Sequence, residues 1–124
     1  MRTYESLLTG EIAACRSENM RRAGLLLSRL GVTANYSGYH YAAYGIALAM
    51  EDPERLQLVT KWIYPDVAKK FRTTTDSVRK NIRKVIDLAW QRNPSLLSDV
   101  ATCDLKQKPG TAEFLAMVVV YLIA

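Results

Sequence analysis

Nine of the seventeen basic residues fall between Lys61 and Arg92: Lys61, Lys69, Lys70, Arg72, Arg79, Lys80, Arg83, Lys84 and Arg92. The same stretch holds three acids, Asp66, Asp76 and Asp87, so it carries a net charge of +6. The remainder, with eight bases and nine acids, comes to −1. Cationic side chains gathered in one quarter of a chain suit a polyanion, because each Lys or Arg that neutralises a phosphate releases condensed counter-ions. A solvated helix face has the same composition, so the sidedness of the charge must decide between the two.

Other chemistries find little to stand on. His40 is the single histidine and has no evident acid-base partner. There is no Ser/His/Asp set, no pair of catalytic carboxylates, no phosphate-cradling glycine loop and no metal-ligand spacing, so no enzyme, metal or cofactor is expected. Cys15 and Cys103 are far apart and read as buried or half-buried free thiols of a reducing compartment. The opening residues lack the apolar core of a signal peptide. The apolar run from Phe114 to Ala124 is about half of the ~20 residues that span a bilayer, so it reads as a core or interface helix. A cytoplasmic, nucleoid-associated protein without a membrane partner is the expectation. Tyr36, Tyr39, Tyr41 and Tyr44 could stack on single-stranded bases, but their helical spacing favours packing. Trp62 and Trp90 are expected in the core.

The elements that must position the basic stretch are all helical; no segment alternates with the period of a strand. A long helix, or two joined at Gly24, spans about Thr3 to Leu30, and Gly31 caps its C-terminus. Gly38 closes the following connection, and a helix runs over Tyr39–Glu51. Asp52-Pro53 restarts the chain as N-cap and first helical residue. Tyr64-Pro65 breaks it again before a short helix over 66–71. Asn93-Pro94 ends the longest basic segment, a shorter helix over 95–100 follows, and Thr111 caps a last helix to Ala124.

Within that frame the segment 75–92 is two-faced. At about 100° per residue, Val78, Ile82, Val85, Ile86 and Ala89 fall within an arc of about 100°. Asp76, Lys80, Arg83, Lys84 and Asp87 lie opposite, with Arg79 on the border. The short helix before it offers Val67, Ala68 and Phe71 on one side, and the small Ala68 permits a steep, close crossing. Arg72-Thr73-Thr74 makes the turn. A short helix, a tight turn and a basic second helix form a helix-turn-helix pattern, whose second helix enters the major groove of duplex DNA.

The residues themselves resemble a known family. Gly38-Tyr39-x-Tyr41 is followed by Thr60-Lys61-x-x-Tyr64-Pro65-Asp66-x-Ala68-Lys69-Lys70-Phe71-x-Thr73-Thr74. Then come Val78, Ile82-Arg83-x-x-Ile86-x-x-Ala89-Trp90, Lys108-Pro109 and Glu113-Phe114-x-Ala116-Met117-Val118. Over about Ala23 to Leu122 this resembles the C-terminal effector domain of the master response regulator of sporulation initiation (the stage 0 sporulation protein A family). The resemblance implies an all-α domain of about six helices around a central helix-turn-helix, binding short promoter boxes in double-stranded DNA. Residues 23–124 would form that domain and residues 1–22 an additional N-terminal helical extension. Family members carry a phosphorylatable receiver ahead of this domain; 22 residues are too few for one, so a stand-alone effector is expected.

By that resemblance the base-reading candidates are Lys80 and Arg83, then Arg79 and Ser77. The family commonly has arginine in place of Ser77 and glutamate in place of Arg79, so a changed target box is expected. Lys69, Lys70, Thr73, Thr74, Thr75, Lys84, Lys106 and Lys108 are candidates for backbone phosphates, which fix register. A second function also suits the sequence: a protein-interaction module that pairs with a full-length regulator or with RNA polymerase. The two terminal helices could equally serve a homodimer. A nonspecific basic DNA coat is a third, weaker reading.

Overall fold

The computed structural model describes the backbone from residue 4 to 124 and side chains from residue 13 onward; the expected helix start at Thr3 and the apolar positions Leu7, Leu8 and Ile12 lie outside what is described. Among the described residues the protein is all-α. The helices are α1 (Tyr4–Arg29), α2 (Ser37–Glu51), α3 (Val59–Trp62), α4 (Tyr64–Lys70), α5 (Thr75–Arg92), α6 (Pro94–Ala101) and α7 (Thr111–Ile123).

α1 is one unbroken helix, and Gly24 is not a joint. A Cβ there would lie 2.3 Å from the Tyr39 hydroxyl oxygen, so the tip of the Tyr39 ring, reaching across from α2, takes the space a side chain would fill. The two helices run antiparallel: Gly24 faces Tyr39, while Arg16 donates to both carboxylate oxygens of Glu51 at 3.0 and 3.1 Å. α1 ends as its glycine foretold. Gly31 takes φ +98, its N–H reaches Ser28 and the N–H of Val32 reaches Leu27, closing a Schellman motif. Arg92 then ties this corner to the end of α5 by donating to the Gly31 carbonyl at 2.7 Å.

α2 is the central rod. Every residue from Ala42 to Ala49 is buried, which fits a helix apolar on all sides. Its neighbours are α1, α4, α5 and α7. Gly38 does not close the connection but sits in the first turn of α2, where a Cβ would lie 2.4 Å from the carbonyl oxygen of Asn81 in α5. Small residues thus set how near α2 comes to the helices on either side.

After α2 the chain forms a 3-10 turn over Pro53–Leu58, not the α-helix expected there, with the Asp52 carboxylate capping the Glu54 N–H at 3.3 Å. Leu58 leaves the helical region (φ −150, ψ 74), which separates this turn from α3. Trp62 does not join the core: α3 turns its Val59 inward and leaves Trp62 39% exposed. Trp90 is half-buried against the core. The cysteines also depart from expectation, since both are exposed. Cys15 lies at the level of Glu51, where α2 has run out, and Cys103 follows α6 in a loop.

α6 starts at Asn93, whose side chain caps the Leu96 N–H at 3.2 Å and donates to the Arg29 carbonyl at 2.8 Å. α7 is capped by Gly110 and not by Thr111, which is its first residue. Phe114, Leu115, Val118, Val119 and Leu122 of α7 are buried, while Val120 and Ile123 face outward. No helix among the described residues is long and apolar enough to cross a membrane.

The turn between α4 and α5 is a second Schellman motif. The Thr73 N–H reaches Ala68 at 2.9 Å and the Arg72 N–H reaches Lys69 at 3.4 Å. The left-handed position is held by Arg72 at φ 54, where a Cβ is disfavoured by about 1–2 kcal/mol. Arg72→Gly is therefore expected to raise the thermal midpoint by about 2–5 °C, while Arg72→Ala leaves it where it is. A melt in which both variants fall together would contradict this.

Candidate nucleic-acid interface

The apolar arc read from the sequence is the buried face of α5. Val78, Ile82 and Ala89 are fully buried, and Val85 and Ile86 nearly so. Such a back fixes the rotation of the helix and leaves its other side to solvent. α4 packs beside it through Val67 and Ala68, both buried. Phe71 closes the corner, its ring 5.1 Å from Tyr41 and 5.8 Å from Tyr44. The tyrosines therefore pack: Tyr44 is buried, and Tyr36, Tyr39 and Tyr41 are half-buried against the core.

The start of α5 is firmly made. The Thr74 hydroxyl accepts from the Ser77 N–H at 3.1 Å, so Thr74 is the N-cap. The carbonyl of Ser77 accepts from the Asn81 amide at 2.8 Å, which anchors the first turn to the second. Thr75 is exposed at the helix tip and Thr73 is half-buried in the turn.

The structure groups the candidate readers on one open face. Lys80 has 68% of its side chain accessible. Arg83 and Lys84 are also exposed, and Ser77 and Arg79 are half-exposed. Asp76 accepts from Arg79 and lies 3.1 Å from the Lys80 ammonium. These two cations, the first larger in effect, hold the Asp76 carboxyl below the usual carboxylate range. Arg83 has no ion pair among the described residues. It borders a shallow hollow with Ile86, Asp87, Lys108, Pro109, Gly110 and Thr111. Beneath it Tyr64 is buried, which pushes its phenol up against the opposing pull of Thr111, Arg83 and Arg79.

The phosphate candidates do not all share that face. Lys84 stands over the Tyr36 ring at 5.2 Å, a cation–π contact at the edge of the open surface. Lys108 pairs with Asp87 of α5, drawing the 106–110 loop against the basic helix. Lys106 is exposed on the same loop without an ion pair among the described residues. Lys69 and Lys70 lie in a separate hollow with Arg16, Tyr44, Leu48, Arg55 and Asp66, and the Lys70 ammonium sits 5.9 Å from the Tyr44 ring.

Two features escaped the sequence. The Lys108–Asp87 pair joins residues 21 apart, and no periodicity connects them. Arg72 occupies a position that glycine normally marks, and the string Lys70-Phe71-Arg72-Thr73 contains no glycine.

Among the described residues no group of histidines, cysteines and acids could hold a metal ion. What the arrangement offers is a rigid convex helix with cations outward, flanked by a polar turn on one side and a basic loop on the other. The family model described as the sporulation initiation factor Spo0A C terminal matches residues 24–122, a span that begins inside α1, includes α2 to α6 and ends one residue short of the end of α7. The chain thus belongs to the Spo0A C-terminal family, the DNA-binding effector domain of a sporulation regulator, and its role is that of a DNA-binding transcription regulator.

Proposed function

We propose that the protein reads duplex promoter DNA by laying the outward face of α5 in the major groove. Lys80 and Arg83 are the principal base readers, and Arg79 and Ser77 stand beside them. Bidentate pairing of Arg or Lys with guanine O6 and N7 is the commonest specific contact of such helices. Thr73, Thr74, Thr75 and Lys84 flank this face and suit phosphate oxygens. Lys106 suits a neighbouring phosphate from its loop, and Lys108 does so only by leaving Asp87. Lys69 and Lys70, in their separate hollow, suit a more distant part of the backbone.

One observation carries the reading: the cationic face is open while its apolar back is fixed in the core. A helix so held can enter a groove some 12 Å wide without rearranging the protein. In-vitro selection from random duplexes at physiological salt tests it. The expected result is a defined box whose bound guanines face α5, differing from the usual box of the family because Ser77 and Arg79 differ from its commonest residues. Recovery of random sequence would reduce the protein to a nonspecific DNA coat. Recovery of the usual family box unchanged would mean that those two positions do not read bases.

A further inference from the structure

The readers on α5 are not free. Asp76, in the first turn, has one carboxylate oxygen against the Arg79 guanidinium and the other 3.1 Å from the Lys80 ammonium. The partners lie three and four residues on, so one acid draws both cations back toward the helix tip that would enter a groove. All three side chains are open to solvent, at 56%, 39% and 68%. Exposed pairs of this kind are weak and exchange readily for a better partner. Arg83, one turn further on, has no such acid. Among the described residues, two of the three cationic readers are therefore already paired with an acid, and Arg83 is not.

We propose that Asp76 is a specificity-determining counter-ion, which keeps Arg79 and Lys80 from binding any phosphate they meet and releases them to a matched set of base edges. This rests on the reading of α5 given above. Nonspecific binding draws its strength from cations that neutralise phosphates and free counter-ions. A cation already paired with Asp76 frees fewer, and once it leaves, a bare carboxylate faces the phosphates. At a matched box, directed bonds to base edges offset that loss. At a mismatched duplex nothing does.

Anisotropy titrations of the parent chain, Asp76→Asn, Asp76→Ser and Asp76→Glu, each against the selected box and a scrambled duplex at several salt concentrations, test the proposal. Loss of the charge is expected to tighten the scrambled duplex by about 3- to 10-fold and to steepen its salt dependence by up to about one unit. The box should change less, so the ratio between the two narrows in both neutral variants. Asp76→Glu, which can pair with the same cations, should keep the parent ratio. Thermal melts of each variant confirm that the fold is intact. Three results overturn the proposal: a scrambled-duplex affinity and salt slope that do not move, equal tightening on both duplexes, or weakening on the box alone. A parent chain that binds neither duplex removes the α5 reading itself, and is seen before any variant is made.

Discussion

Replacing Lys80 and Arg83 together by Ala is expected to abolish specific DNA binding and leave the fold untouched. Each well-made bidentate pair with a base discriminates by about 1–3 kcal/mol, so losing two weakens the box by about 30- to 20,000-fold. The scrambled duplex should weaken far less, because the phosphate contacts come from other residues. Both side chains are exposed and neither supports the core, so stability should stay within about 0.5 kcal/mol. Titration of the two duplexes alongside a thermal melt reads all three quantities. If the box affinity survives the double replacement, the readers lie elsewhere. The same pair of substitutions separates DNA reading from a protein-interaction module, whose partner binding would persist without Lys80 and Arg83.

Gly38→Ala should damage the platform on which α5 rests. The added methyl would lie 2.4 Å from the Asn81 carbonyl oxygen and 2.8 Å from a Val85 methyl. The carbonyl is backbone inside a helix and cannot rotate away, so α2 and α5 must separate. Overpacking of that kind costs about 1–3 kcal/mol, or roughly 4–12 °C in the thermal midpoint for a domain of this size. Gly45→Ala is a milder comparison, since its nearest neighbour is an Ile63 methyl at 3.1 Å and not a backbone atom. Gly110→Ala meets nothing within 4 Å. A melt showing Gly38→Ala no worse than Gly110→Ala would mean that the crossing of α2 and α5 is looser than this contact implies.

The candidate interface was legible in the sequence where it depends on one helix. The spacing of Val78, Ile82, Val85, Ile86 and Ala89 fixes which side of α5 is buried, and so places Lys80 and Arg83 outward. The cap at Gly31 and the end of α5 at Asn93-Pro94 were equally plain, because each uses residues whose chemistry suits a helix end. Much of what could not be read depends on two helices at once. Gly24 and Gly38 look like punctuation, yet both lie inside helices: the tip of the Tyr39 ring fills the space beside Gly24, and the α5 backbone passes too close to Gly38 for a side chain. Thr74 caps α5, which leaves the Asp76 carboxylate to Arg79 and Lys80 in the same helix. The exposure of Trp62 follows from the break at Leu58, which no local preference announced. Thr102, like Arg72, holds a left-handed helix end without glycine, so those turns carried no cue either.

Everything proposed for this protein requires the duplex to lie along the tip and outer side of α5. Titrating isotope-labelled protein with the selected box and following its backbone amide resonances measures that contact residue by residue. The expected result is a contiguous set of shifts over Thr73 to Lys84, with smaller changes in the 106–110 loop and none along α1. Shifts gathered on α7 or α1 instead, with Thr75 to Arg83 unmoved by saturating duplex, would contradict it.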